Sequence, residues 1–423
     1  MPADAKPLLL VISQVYVPDP ASVGQYMADV AETMAARGVD VRVLTSACGY
    51  ENPTHTYPRR EWRGGVDVRR LPWSSFGKRT LFHRLLGQSL FLVQVILRGV
   101  FARRLSAIVV STSPPMASLA ALAIGTLRRV PITYWLMDLN PDQAIALGEV
   151  DARSLLAKAL RWLNRRIFAR AAQVIVLDRY MAERVERQYR VRGRMEILPP
   201  WPQHASRADV APADNPFRRE HNRTGRFVVM YSGNHSPASP VTTLVEAALR
   251  MRHDRRFLFL FVGGGSGKRE VEEAIARHRP ANIVSLPYEP LDRLPFSLAA
   301  ADLHVVTLGT AMVGMVHPSK IYGAMGAGRP VMLIGPRPSQ AAALIERYEI
   351  GWQADSGEVE RVVAAIRQAA ELPADARAAI GRRARAAIRD HFSKDRLCGL
   401  FCDLVETTIE PSRAAAAAPA GIA

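Results

Sequence analysis

Apolar residues along this chain come in short dense runs separated by stretches with helical spacing. The run Leu8 to Ser13 ends in a loop punctuated by proline and glycine, Gln25 to Ala36 then repeats with a helical period, and Val41 to Thr45 is again a dense run. Further runs fall at Gly65 to Leu71, Ala107 to Ser111, Ile132 to Leu136 and Val174 to Leu177, several with helix-like segments between them. A run that is apolar at successive positions has no solvent face. It fits a parallel strand covered by helices on both sides, so the pattern predicts an α/β domain opening with a βαβ unit.

Pro199 to Thr224 is rich in Pro, His, Arg, Asp and Asn without sustained period and reads as a linker. A second series follows, with strands expected at Phe227 to Tyr231, Phe257 to Val262, Ile283 to Leu286, Leu303 to Thr307 and Val331 to Ile334, and helices at Val241 to Met251 and Arg269 to His278. Asp395 to Ile409 has helical spacing, and the alanine-rich end reads as a disordered tail. The expected organisation is a first domain over 1–203, a second over 204–394, a helix over 395–412 and a tail over 413–423. A chain of 423 residues exceeds what one core usually organises, which agrees with two domains.

Composition changes the picture in one respect. Hydrophobic and charged fractions of 48% and 22% are ordinary for a globular protein, but 56 Lys and Arg against 39 Asp and Glu leave a net charge of +17, which favours anionic partners. From Val68 to Met137 there is no Asp or Glu, while Arg69, Arg70, Lys78, Arg79, Arg84, Arg98, Arg103, Arg104, Arg128 and Arg129 are basic. With Trp73, Phe76, Phe82 and Phe91 interspersed, residues 69–104 are expected to make peripheral contact with an anionic membrane; the alternative is a buried helix with arginine at its ends. Leu85 to Phe101 carries Gln88, Gln94 and Arg98 and is not expected to span a bilayer. No nucleic-acid recognition motif accompanies the charge. Cys48, Cys398 and Cys402 form neither a disulfide framework nor a zinc spacing, and the N-terminus has no signal-peptide h-region, so a cytoplasmic location on the inner face of the membrane is expected.

In open parallel sheets ligands bind beyond the carboxyl ends of the strands. Four loops there hold candidate chemistry. After the first strand, Ser22-Val23-Gly24-Gln25 opens a helix whose amides favour an anion, with Gly24 allowing close approach. Asp138-Leu139-Asn140-Pro141-Asp142 brings carboxylates into a proline-stopped loop, where Asp138 is placed to orient or deprotonate a hydroxyl. Tyr231-Ser232-Gly233-Asn234-His235 suits a phosphate cradle, with Asn234 and His235 adding side-chain groups, and Gly263-Gly264-Gly265-Ser266-Gly267 is a similar loop lacking the dinucleotide pattern. In Gly314-Met315-Val316-His317-Pro318-Ser319-Lys320, Pro318 sets a helix start that is expected to leave the amides of Ser319 and Lys320 unpaired beside an ammonium, an arrangement suited to a diphosphate. For each loop the plain alternative is a turn or helix cap.

Taken together these segments resemble the family 4 retaining glycosyltransferases of the GT-B fold, of the bacterial cell-surface polysaccharide type. The carriers are the Gly24 loop, Asp138 to Asp142, Tyr231 to Asn234, Phe261 to Gly265, Ala301 to Val306, and Pro318-Ser319-Lys320-Ile321-Tyr322 through Val331. The resemblance implies two Rossmann-like doubly wound parallel-sheet domains with a cleft between them, acceptor bound by the first and nucleotide sugar by the second, and a last helix crossing back to the first domain. It also implies that Gly24, Gly233, Asn234, His235, Gly264, Gly265, Gly314, Met315, Val316, His317, Pro318, Ser319 and Lys320 bind the donor, with Asp138 and Lys320 in catalytic roles and no metal or cofactor. The expected activity is retaining transfer of a hexosyl or N-acetylhexosaminyl group from a UDP-sugar to a lipid-linked glycan acceptor. A nucleotide-sugar 2-epimerase and a catalytically weakened glycan-assembly scaffold are the alternatives. Many members carry two glutamates whose matching positions here are Met315 and Gly323.

Overall fold

The computed structural model describes residues 6–417 apart from 20, 50–53, 75–80, 192–193, 204–213 and 221–224. The chain divides into two compact units, one formed by Met1–Pro199 with Lys394–Ala423 and the other by Pro200–Ser393. The first runs β1 (Leu8–Ile12), α1 (Ser22–Ala36), β2 (Asp40–Ser46), β3 (Arg60–Arg63), β4 (Val66–Leu71), α2 (Leu81–Val100), β5 (Leu105–Ser111), α3 (Ala117–Arg128), β6 (Ile132–Trp135), α4 (Asp142–Ala146), α5 (Leu155–Arg170), β7 (Gln173–Val176), α6 (Arg179–Gln188) and β8 (Arg194–Ile197). Its sheet has the order β3-β4-β2-β1-β5-β6-β7-β8, with β3 antiparallel to β4 and the remaining pairs parallel.

The second unit runs α7 (Pro216–Glu220), β9 (Phe227–Ser232), α8 (Thr242–Arg250), β10 (Phe257–Val262), α9 (Lys268–His278), β11 (Ile283–Leu286), α10 (Leu294–Ala299), β12 (Leu303–Thr307), α11 (Lys320–Gly326), β13 (Val331–Ile334), α12 (Gln340–Tyr348), β14 (Gly351–Ala354), α13 (Val359–Glu371) and α14 (Ala374–His391). Its six strands are all parallel in the order β11-β10-β9-β12-β13-β14. Numbered from β9 this is 3-2-1-4-5-6, the doubly wound dinucleotide-fold order, with the reversal between β9 and β12. Successive strand residues serve opposite faces: Val229 and Tyr231 join the core under α8 and α13, and Val228 and Met230 the core with Phe217 and Ala300. The last helix, α15 (Lys394–Ala417), belongs to the first unit.

Two neighbours on β6 show how the first unit's sheet is covered. Tyr134 packs against Phe168 of α5 with ring centroids 5.5 Å apart, whereas Trp135 packs against Phe401 of α15 at 4.4 Å and Tyr26 of α1 at 6.0 Å. Because side chains alternate along a strand, α1 and α15 cover one face and α5, beside α3 and α2, the other. Arg37 bridges Asp403 at 2.7 Å and Glu406 at 2.9 Å, and Lys394 meets Asp29 at 2.5 Å, so ion pairs close the α1–α15 seam.

The structure departs from the sequence expectations in several places. Strands β3, β8 and β14 are additional; each has four residues, too short for alternation to stand out. The expected linker contains α7, which is preceded by Asn215, whose side-chain oxygen accepts from the Phe217 amide at 2.9 Å; Arg218 of α7 donates to the Ala300 carbonyl at 2.7 Å and the Asp302 carboxylate at 2.6 Å. Those contacts are long-range and invisible to local periodicity. Helix α1 starts at Ser22, and α15 continues to Ala417, into the segment expected to be a tail, while 418–423 lie outside the described residues.

Several arginines of the basic stretch have partners within the first unit. Arg69 pairs with Asp67 and Arg70 with Glu61 within the β3–β4 hairpin, Arg104 pairs with Asp40, and Arg128 donates to the carbonyls of Val100 and Ala102 at the end of α2. These arginines hold the unit together. Phe76, Lys78 and Arg79 lie outside the described residues. No helix among the described residues is long and apolar enough to cross a membrane.

Candidate active site

The carboxyl ends of β9 and β12 flank the reversal of the second sheet, and the loops that follow them are joined by the Gly309 amide donating to the Ala238 carbonyl at 2.9 Å. From the first position of α11, Lys320 leans over this edge. Its ammonium stands 5.1 Å from the ring centre of Tyr231, and a Cβ placed on Gly233 would come within 2.8 Å of Lys320 Cε. The sequence-predicted β9 loop and helix start are thus brought together, with the cation lying across the glycine.

His235 takes a different role from that of an exposed donor. It is fully buried, its ring lies 4.7 Å from Tyr231 and 6.3 Å from Phe261, and its backbone amide donates to the Gly264 carbonyl at 2.7 Å. Burial, with the nearby Lys320 and Lys268 ammoniums adding to it, pushes the imidazole down to about 4, so it is neutral at physiological pH. With Nδ1 facing the Gly264 carbonyl at 3.3 Å, Nε2 is buried without a partner among the described residues. Asn234 is exposed, and the Tyr231 hydroxyl donates to its carbonyl at 3.1 Å.

The Gly264 and Gly265 loop packs directly against these residues. Gly265 has φ 109°, and a Cβ there would lie 2.1 Å from Asn234 Oδ1 and 2.6 Å from the His235 carbonyl oxygen, so glycine is required for the β9 and β10 loops to touch. A Cβ on Gly264 would meet the Tyr288 ring at 2.7 Å. Lys268, which the sequence reading passed over, donates to the carbonyls of Gly263 and Leu286 at 2.5 Å each and so ties the ends of β10 and β11. A lysine one residue beyond a glycine-rich strand exit was the available signal.

Around the helix start one expectation is corrected. The Ser319 amide is not free: it donates to the His317 carbonyl at 2.8 Å in a tight turn. The Lys320 amide has no acceptor among the described residues, so it remains available beside its own ammonium. Pro318 is buried at this turn. His317 stacks on Tyr322 with ring centres 5.6 Å apart and Nε2 3.2 Å from its hydroxyl, a contact inside the segment. Gly314 turns the chain at φ 72°, and the amides of Met315 and Val316 both donate to the Met312 carbonyl, at 3.0 and 3.1 Å. Met315 is buried, and at Gly323 an added Cβ would meet only Leu298 Cδ1 at 3.7 Å, so neither position supplies a carboxylate although the second has room for a side chain.

In the first unit the Gln14 amide donates to the Ser113 carbonyl at 2.8 Å, and Thr112 Oγ1 accepts from the amides of Met137 and Asp138 at 3.3 and 3.2 Å. The loops after β1, β5 and β6 are thereby tied into one edge. Asp138 projects from it with no hydrogen-bond partner for its carboxylate among the described residues, and burial raises that carboxyl to about 6. Asp142 by contrast lies between Arg161 at 4.0 Å and Arg184 at 3.6 Å and starts α4. Gly24 donates to the Ala21 carbonyl at 3.0 Å, and a Cβ on it would stand 3.0 Å from the Tyr16 backbone, so it admits the strand-exit loop against α1. Among the described residues no cluster of three or more His, Cys, Asp or Glu side chains is placed to hold a metal ion.

Comparison with known proteins agrees with this layout. Residues 22–201 match the family described as Glycosyl transferase 4-like domain, and residues 214–387 match Glycosyl transferases group 1. The chain is 25% identical over 381 residues to an Escherichia coli K12 protein named putative colanic acid biosynthesis glycosyl transferase WcaI, covering 86% of this chain and 92% of that protein. It is 23% identical to the probable glycosyltransferase WbjE of Pseudomonas aeruginosa, covering 86% and 90%. Among solved structures it resembles sucrose-phosphate synthase from Thermosynechococcus elongatus (TM-score 0.74, 16% identity, 96% of this chain and 100% of that one) and Anabaena HepE in complex with UDP-glucose (0.69, 15%, 95% and 99%). With two parallel-sheet α/β units, one matching each glycosyltransferase family in turn, the chain belongs to the glycosyltransferases of the GT-B fold.

Proposed function

We propose that this protein transfers a hexosyl or N-acetylhexosaminyl group from a UDP-sugar to a lipid-linked glycan acceptor, with retention at the anomeric carbon, on the cytoplasmic side of a bacterial membrane during cell-surface polysaccharide synthesis. The observation that carries this reading is Lys320, whose ammonium lies over Gly233 and Tyr231 at the strand-order reversal of the group 1 domain. A cation at that edge, beside a free amide, suits a diphosphate leaving group. The relatives support the biological context: one is named for colanic acid biosynthesis, a solved neighbour is described as a glycosyltransferase involved in lipopolysaccharide biosynthesis, and another is in complex with UDP-glucose.

In the proposed reaction the bond from the anomeric carbon to the diphosphate oxygen breaks, its electron pair leaving with UDP, while an acceptor oxygen bonds to that carbon. Lys320 balances the charge gathering on the diphosphate. Asp138, whose carboxyl titrates near 6, orients the acceptor hydroxyl and takes up its proton. Rate then comes mainly from positioning and electrostatics, with no metal in the scheme. Retention rests on the family resemblance, since Met315 and Gly323 offer no carboxylate to the sugar.

A thermal-shift panel of nucleotide sugars tests the donor, because a ligand that binds only the folded state raises the melting temperature. A UDP-sugar is expected to stabilise the protein and to be consumed only when a lipid-linked acceptor is added. Formation of an epimer without acceptor would replace this reading by a 2-epimerase, and absence of any stabilising nucleotide sugar would replace it by a scaffold.

A further inference from the structure

The face of the first unit formed by α2, α3 and α5 carries a property that sugar transfer does not use. Residues 81–100, 117–128 and 155–170 make up these three helices, and they contain no Asp or Glu, whereas α1 and α15 on the opposite face carry Asp29, Glu32, Asp403 and Glu406. The outward positions are apolar as well as basic. Val93, Leu97 and the adjoining Phe101 are exposed along α2, Leu127 on α3, and Leu155 and Trp162 on α5, with Phe101 and Leu155 79% and 83% exposed. Lys158, Arg165 and Arg166 share the exposed stripe of α5, no carboxylate pairs with them among the described residues, and the Arg166 guanidinium lies 5.2 Å from the Trp162 ring centre. The α5 side chains lie outside the basic stretch singled out in the sequence, several of whose arginines are engaged inside the unit, whereas the exposed apolar residues of α2 and α3 lie within it.

From this juxtaposition of exposed aliphatic and aromatic side chains with cations that have no carboxylate partner among the described residues, on three neighbouring helices that themselves carry no acid, we propose that α2, α3 and α5 form a docking surface for an anionic lipid bilayer. Apolar side chains enter the headgroup boundary, a tryptophan is stable where one ring edge is wet, and guanidinium groups meet lipid phosphates. The charge decides the occupant. A second copy of the chain on this face would set Lys158, Arg165 and Arg166 against their own like charges, which opposes association. The proposal does not depend on which sugar is moved, or on whether any is.

The test uses the full-length protein and sedimentation with vesicles of phosphatidylcholine alone or with about 30% phosphatidylglycerol. Wild type is expected to pellet with the anionic vesicles and to stay in solution with neutral ones. Arg165→Glu with Arg166→Glu should lower the partition coefficient by about tenfold or more, and Leu97→Ser with Phe101→Ser should remove the part of the binding that survives high salt. Lys158→Glu alone provides a milder charge variant, and unchanged melting curves establish that each variant is folded. Wild type left in the supernatant, equal pelleting with both vesicles, or folded charge variants that partition like wild type would each overturn the proposal. So would a solution dimer that the same substitutions dissociate, which would assign the face to a second copy.

Discussion

The two sheets share the doubly wound plan and present opposite chemistry at their carboxyl edges. In the first unit the edge beside β5 and β6 offers a carboxylate, Asp138, without a hydrogen-bond partner among the described residues and raised to about 6 by burial. In the second the edge beside β9 offers the Lys320 ammonium, with Lys268 and a buried neutral His235 behind it. One topology therefore presents a carboxylate at one edge and a cation at the other. Topology fixes where a ligand sits; the residues at the strand exits decide what it is.

If Lys320 is the cation of the donor site, Lys320→Ala should lower turnover by roughly 100-fold or more with the melting temperature nearly unchanged, as steady-state kinetics and a thermal melt would record. Asp138→Asn should cost about 10- to 100-fold in turnover. Wild-type activity should also fall as pH drops through about 6, because Asp138 becomes protonated there, and the residual activity of the Asn variant should lose that step. A pH–rate profile with the same acid limb in both proteins would take the base role from Asp138.

Asp138 and His235 give stability effects of opposite sign. The folded Asp138 binds a proton more readily than its unfolded counterpart, so it contributes stability as pH falls from about 6 towards 3.8. His235 does the reverse: its folded pKa of about 4 lies below the ordinary 6.5, so stability is lost as pH falls through that window. Gly265→Ala should destabilise the second unit by about 2 kcal/mol, since it forces a Cβ into φ 109° and against the His235 carbonyl, and chemical denaturation would measure it. The smallest effect is expected from His235→Phe, which should chiefly reduce the loss of stability between about pH 6.5 and 4, followed by thermal melts across that range.

The strands were the legible part of the fold because each core strand is a dense apolar run, as in Leu8–Ile12 and Phe257–Val262, where every residue is buried. What stayed hidden depends on distant partners. Helix α7 is held by Asp302, some eighty residues on, and Arg128 reads as surface charge until the carbonyls of Val100 and Ala102 are seen around it. At the strand edges of the two units, residue type marked Lys320, Gly233 and Asp138 as candidates, but not the burial of His235 or the turn that occupies the Ser319 amide. Both follow from backbone contacts between loops, which no local pattern encodes. Lys268 was within reach, since it directly follows Gly267.

Isothermal calorimetry of UDP binding to wild type and to Lys320→Ala addresses the central claim most directly. The account predicts binding by the wild-type protein and an affinity at least about tenfold weaker for the variant, through loss of a charge-assisted contact to the diphosphate. Equal affinities, or a wild-type protein that binds no UDP, would contradict it.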